Sequence, residues 1–304
     1  MARGGSRVET TGMTARRAVL ALLLAASPLA VQVACFSAGS PSARPQTAPA
    51  LANASPDAAA ATTAAPREIG IPGGTLQAGQ PRGPTSTTVV YERVEPFLLD
   101  ATEVTVSAYA ACVRAGRCAP AATTVQMEGL PAAEAARWSA ACNGDRPDRA
   151  EHPVNCVDWS QAQAYCAFAG KRLPSEAEWE WAARGGGAGI AYPWGNDPPG
   201  DRVCWGGPGN ETAGPRSGTC PVATHPRGAT PSGVQDLAGN VWEWTSSEDV
   251  VAADSRGRGG TPVKIARGGG WSSTTPAQLT AAIRAKDLPT MRAADLGFRC
   301  ARSR

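Results

Sequence analysis

The hydrophobic pattern changes character several times along the chain. Residues 18–34 are apolar apart from Ser27, Pro28 and Gln32, and they follow Arg16 and Arg17. This is a positive n-region and an h-region, too short and interrupted for a comfortable membrane span. Residues 36–67 are mostly Ala, Pro, Ser and Thr, with almost no large apolar side chains. Such a segment cannot bury enough surface to offset its ordering entropy and reads as a tether. Short runs with β-branched and aromatic content follow at 69–75, 87–94 and 96–99, predicting strands. Thr105 is placed to cap a helix through Val113, with Gly116 as its stop. Asp158 and Gln161 have capping-box spacing, and Ala162, Tyr165, Cys166 and Ala169 keep helical periodicity up to Gly170. A third helix is predicted from Ser175, with Glu178 three residues on, through Trp181 to Gly185. Beyond Gly185, glycine and proline dominate and regular structure is expected to thin out. The pattern divides the chain into a signal peptide (1–34), a disordered tether (35–67) and one irregular, loop-rich α+β domain (68–304).

Charge and cysteine usage narrow the class. The formal net charge is +3 over 304 residues, but residues 1–34 hold four arginines and one glutamate, so the remainder is close to neutral. No basic block stands out, and no nucleic-acid partner is expected. The signal segment ends Val33-Ala34-Cys35, which reads as a lipoprotein-type signal with Cys35 acylated after cleavage. Ordinary secretory cleavage nearby is the alternative. Either reading exports the domain, and lipidation would anchor it to a membrane of the cell envelope, in a leaflet left open. Eight further cysteines remain, an even number that points to disulfides in an exported domain. Cys204 and Cys220 read as a local pair tying one loop. With no Cys-x-x-Cys and only His152 and His225, a zinc site is not expected.

Nine tryptophans are read as packing for a domain poor in regular elements. Trp242 and Trp244 alternate with Glu243, so the two indoles should share a face while Glu243 points elsewhere. By composition, the segment from Asp236 to Glu243 is a solvated turn. No Gly-x-Ser-x-Gly, His-Glu-x-x-His or P-loop is present, so no catalytic set emerges from the residues.

Four motifs change this reading: Gly170-Lys-Arg-Leu-Pro-Ser-Glu-Ala-Glu-Trp179, Asn240-Val-Trp-Glu-Trp-Thr245, Arg267-Gly-Gly-Gly-Trp271 and Leu296-Gly-Phe-Arg-Cys300. Together, and in this order, they resemble the formylglycine-generating enzyme (sulfatase-modifying factor) family over residues 68–304. The resemblance implies that family's C-type-lectin-like fold and a Cys166–Cys300 disulfide. Cys112, Cys118, Cys142 and Cys156 keep three possible pairings. It also implies a structural calcium held by side-chain oxygens of Asp236 and Glu243 and backbone carbonyls of Gly239 and Val241. A second family calcium site, around residues 202–220, is not expected, because Val203 stands where an asparagine is needed.

The family reaction converts a protein cysteine to formylglycine with dioxygen and copper, using two thiolates that hold Cu(I). Those positions fall on Ser273 and Gln278, so no copper and no catalytic residue is expected here. The ergothioneine-type sulfoxide synthases of the same fold keep iron-binding histidines in an extra helical domain, which this chain lacks. The expectation is a non-catalytic, lipid-anchored domain serving binding or envelope assembly. It would take a polypeptide or glycan in a groove near Trp271, Ser273 and Arg284. A formylglycine-generating oxidoreductase is the alternative.

Overall fold

Asp158 accepts the backbone N–H of Gln161 while the Gln161 side chain accepts the N–H of Asp158, closing a capping box at the start of α3 (Trp159–Phe168). Ser175 and Glu178 do the same for α4 (Glu176–Ala183). Thr105 caps α1 (Val106–Arg114) through the N–H of Ala108, and Gly116 follows at φ 67°. These orphan N–H groups need oxygen partners, and the local sequence supplies them. α2 (Ala132–Ser139) has no side-chain cap; it starts after Pro131 and was not legible in the sequence. The computed structural model describes residues 66–78, 90–125, 129–187, 189–208, 216–251 and 260–304, all within the unit Asp57–Arg304. The signal segment, Cys35 and all but the end of the tether lie outside the described residues, as do positions 87–89 of one predicted strand.

The early strands form as β1 (Glu68–Ile71), β2 (Gly74–Ala78), β3 (Val90–Val94) and β4 (Phe97–Asp100). β2 and β3 make an antiparallel pair, while β1, β4 and the terminal β9 (Ala301–Ser303) form a sheet in the order β1-β4-β9. The expected thinning of structure after Gly185 holds only to Val241. The largest sheet then follows, in the order β7 (Arg284–Asp287), β6 (Thr261–Arg267), β5 (Trp242–Val251) and β8 (Leu296–Gly297). The alternation at 242–244 is a strand buried on both faces: Trp244 and Glu243 are both inaccessible, so the usual polar-out signal is missing.

The tryptophans pack as expected. Trp179, Trp205 and Trp244 are among the largest fully buried side chains, and none of the nine is exposed. Trp244 joins α1, α3 and Phe298 in one core; Trp179 and Trp181 join β1, β4 and α4 in a second. Four disulfides close the domain: Cys112–Cys118, Cys142–Cys156, Cys166–Cys300 and Cys204–Cys220. The last two pair as expected, and the first two select one of the three open pairings. No helix among the described residues is long and apolar enough to cross a membrane.

Candidate functional site

The Arg267-Gly-Gly-Gly-Trp271 turn is fixed from beneath by Arg267. Its fully buried guanidinium donates to the carbonyls of Ala282 and Ala281 at 3.1 Å each and pairs with Glu180. Gly269 has φ 75°, and a Cβ there would lie 2.3 Å from the carbonyl oxygen of Gln278 and 3.1 Å from Ser273 Oγ. Only glycine fits, and the turn therefore brings Ser273 and Gln278 to the same place. Neither side chain is free. Ser273 is buried and its Oγ accepts the N–H of Gly270 at 3.2 Å. Gln278 Oε1 accepts the N–H groups of Thr274 and Thr275 at 2.9 and 3.0 Å. A hydroxyl and an amide brace the turn where the resemblance places thiolates. All eight cysteines of the described residues are in disulfides, so this donor set does not fit Cu(I).

Trp271 lines a cavity of about 390 Å³, within the range of about 300–1,000 Å³ usual for ligand sites. Its indole N–H donates to Ala294 O at 2.9 Å, and its ring meets Trp138 of α2 at 5.3 Å between centroids, tilted 42°. Arg137, Arg216, Ser217, Ser272 and Thr274 complete much of the wall. The loop bearing Arg216 is held by the Cys204–Cys220 disulfide and by Asn240, whose Oδ1 accepts the N–H of Cys220 at 3.0 Å. Gly206 N–H donates to Ser273 O at 3.0 Å, tying the start of the same loop to the turn.

Of the three residues expected around a groove, Trp271 lines this cavity, while Ser273 is buried and is not among its lining residues. Arg284 is not part of it: on β7 it binds Glu176 through two hydrogen bonds, at 2.7 and 2.9 Å, and Asp249 at 3.1 Å. Arg137, Trp138, Arg216 and Ser217 were not singled out in the sequence. The Arg-Trp pair ends a helix with no N-cap signal, and Arg216 falls in an irregular loop.

The Asp236–Glu243 segment is a buried turn, not the solvated one that its composition alone predicts. Asp236, Gly239 and Asn240 take positive φ (59°, 78° and 56°), and a Cβ on Gly239 would lie 2.6 Å from Cys204 O. Glu243 turns away from Trp244, as expected, and meets Arg299. Arg299 Nε donates to Oε2 at 2.7 Å and Nη2 to Oε1 at 2.8 Å, while the Trp179 indole N–H donates to Oε2 at 2.7 Å. Arg299 Nη1 and Nη2 also reach the carbonyls of Asp100 and Gln235 at 3.0 and 2.8 Å.

Beside this pair sit Asp236 and a residue the sequence reading passed over, Glu103. Both Glu103 carboxylate oxygens are buried with no donor. Burial, with Asp236 as the next cause, raises the Glu103 pKa well above the ordinary range; burial likewise raises that of Asp236. The two carboxyls can hydrogen-bond each other only while one of them holds a proton. Two acids buried beside one balanced ion pair ionise only with a further positive charge at hand, a need an oxygen-loving cation would meet. Asp236 and Glu103 offer the charge, Glu243 is already balanced by Arg299, and the carbonyls of Gly239 and Val241 belong to the same turn. Among the described residues no group of three His, Cys, Asp or Glu side chains is arranged for a metal. A site made largely of backbone oxygens is not of that kind.

A family model described as the sulfatase-modifying factor enzyme 1-like domain matches residues 54–304. An "Inactive C-alpha-formylglycine-generating enzyme 2" of Bos taurus is 40% identical over 162 residues, covering 51% of this chain and 51% of the relative. The chain therefore spans about half the length of that relative. A "Formylglycine-generating enzyme" of Streptomyces coelicolor is 34% identical, with 83% of this chain and 96% of the relative covered. Among solved structures, PvdO from Pseudomonas aeruginosa superposes with a TM-score of 0.58 at 24% identity, over 79% of this chain and 95% of that one, a likeness of fold. The glycine turn, the buried Glu243–Arg299 pair and the Cys166–Cys300 staple thus sit on a scaffold matched along almost its whole length, and the chain belongs to the sulfatase-modifying factor (formylglycine-generating enzyme-like) domain family.

Proposed function

We propose that this chain is a non-catalytic member of its family: an exported domain, anchored through an acylated Cys35, that binds a partner in the cavity beside Trp271. One observation carries the reading. Ser273 and Gln278 stand where the family reaction needs thiolates, and every cysteine of the described residues is committed to a disulfide. A serine hydroxyl and a glutamine amide do not replace thiolate ligands to Cu(I). Support for a binding role comes from the cavity, where two indoles, Trp138 and Trp271, stand beside polar and cationic side chains. A structural calcium at the Asp236 turn belongs to the same reading, bracing the segment that holds Cys220 and Trp271 through Asn240.

The test is direct. Purified protein is incubated with copper, reductant and a peptide carrying the family's Cys-x-Pro-x-Arg target, and cysteine-to-aldehyde conversion is followed by mass spectrometry. No conversion is expected; turnover would overturn the non-catalytic reading in favour of a formylglycine-generating oxidase. For the anchor, Cys35→Ala should move the protein from the membrane to the soluble fraction, and unchanged fractionation would reject lipidation.

A further inference from the structure

The cavity wall carries charge of one sign. Among the described residues, Arg137 and Arg216 line it, and no carboxylate does. Behind the wall, Asp295 accepts the hydroxyl of Ser272. Elsewhere in the domain the inward-facing arginines meet acids: Arg267 with Glu180, Arg284 with Glu176, Arg299 with Glu243. At the cavity they do not. Among the described residues neither Arg137 nor Arg216 has a carboxylate partner, and the buried Nε of Arg216 has no hydrogen-bond acceptor at all. Arg216 Nη1 is turned onto Cys220 Sγ, a weak acceptor. Arg149 adds a third guanidinium close by: its Nη1 is also buried without a partner and lies 3.3 Å from where a Cβ on Gly218 would stand.

Leaving guanidinium donors without acceptors in a half-buried site is costly, and burial accordingly lowers the Arg216 pKa. The cost is recovered when a ligand brings a carboxylate, which a guanidinium fork matches with paired, charge-assisted hydrogen bonds. The tilted Trp138–Trp271 pair gives the adjoining wall an apolar surface. A glycan is the poorer match. Sugar hydroxyls donate as well as accept, and the lining side chains able to accept are only the hydroxyls of Ser217, Ser272 and Thr274, with Ser272 already turned to Asp295.

We infer that this cavity recognises an acidic polypeptide segment, with a Glu or Asp side chain on Arg216 and Arg137 and a neighbouring apolar side chain against Trp138 and Trp271. The inference rests on the binding role proposed above and names the chemistry of its partner. It sets this chain apart from a family target motif that carries arginine.

The experiment uses the full chain and a short, end-blocked, fluorophore-labelled peptide alternating Glu and Phe. Its Gln/Phe counterpart, its Lys/Phe counterpart and a glucuronate oligosaccharide are titrated in parallel, at low and high salt. Binding of the Glu peptide alone, weakening as salt rises, is expected. Arg137→Gln, at an exposed position, should weaken binding about tenfold, the scale of one charge-assisted hydrogen bond, without changing Tm. Arg216→Lys, which keeps the charge and loses the fork, should fall between that variant and the parent. Equal affinity for the Glu and Gln peptides, tighter binding of the oligosaccharide than of the peptide, or no binding by any probe would each overturn the inference. The aldehyde assay on the same preparation separates the outcomes. Failed binding without turnover rejects only the acidic-peptide ligand, whereas turnover rejects the non-catalytic reading itself.

Discussion

Breaking the Arg299–Glu243 pair should unfold this domain more readily than any change at the cavity. Both side chains are inaccessible, and Arg299 spends its donors on both Glu243 oxygens and on the carbonyls of Asp100 and Gln235. Its guanidinium therefore joins the β4 end, the start of the Asp236 turn, β5 and the C-terminal segment. Arg299→Met leaves Glu243 charged, buried and served only by the Trp179 N–H; Glu243→Gln leaves Arg299 without its counter-ion. Removing one partner of a buried pair costs about 3–5 kcal/mol, because an uncompensated charge stays behind. At about 2–4 °C per kcal/mol for a domain of this size, the melting temperature should fall by roughly 6–20 °C. The double variant removes both charges and keeps an acceptor for Trp179, so it should lose less than the two single losses added together. Urea unfolding with disulfides intact, read by near- and far-UV circular dichroism, gives the cycle. Single losses below about 1 kcal/mol, or strict additivity in the double variant, would refute the assignment of a buried charge pair.

Three further outcomes are expected. Calcium should raise the melting temperature of the chelator-treated parent and leave Glu103→Gln with a smaller shift; no shift in the parent would reject a cation at Asp236. His152, half-buried with its Nδ1 2.8 Å from Thr219 Oγ1, has its pKa lowered to about 4, chiefly by burial. Its neutral form is favoured in the fold, so this contribution to stability is present above 6.5 and is lost as pH falls towards 4. An imidazole NMR titration with a midpoint near 6.5 would count against it. Replacing Cys166 and Cys300 together by Ala opens a loop of sequence separation 134 and should cost up to about 5 kcal/mol by the chain-entropy account. A loss under about 1 kcal/mol would show that packing alone holds the C-terminal segment.

What the sequence disclosed follows from how local each cause is. The caps of α1, α3 and α4 were legible because Thr105, Asp158 and Ser175 act on N–H groups three residues away. α2 escaped because Pro131 supplies no side-chain acceptor. The antiparallel β5–β6 pair escaped because Glu243 is buried opposite Trp244, so no polar face marks the strand. The cavity could not be read locally at all. Its described wall is assembled from residues 137 and 138, 206, 216 and 217, and 271, 272 and 274, which disulfides and the Gly269 turn bring together. Arg284 was placed at the groove by the family resemblance, and only the structure shows that Glu176 and Asp249 hold it.

The sheet order β1-β4-β9 also decides how the domain bears a pull. β1 and β9 flank β4, both antiparallel to it, so they run in the same direction on either side of one strand. Tension applied between residue 68 and Arg304 loads β1 and β9 alike, and β9 is three residues long. Beyond it the force meets Cys300, and the disulfide transfers it to Cys166 on α3. Only the four residues after Cys300 can be drawn out before the load reaches a covalent bond. A domain held by one end on a surface and tugged at the other would thus yield from its β1 side.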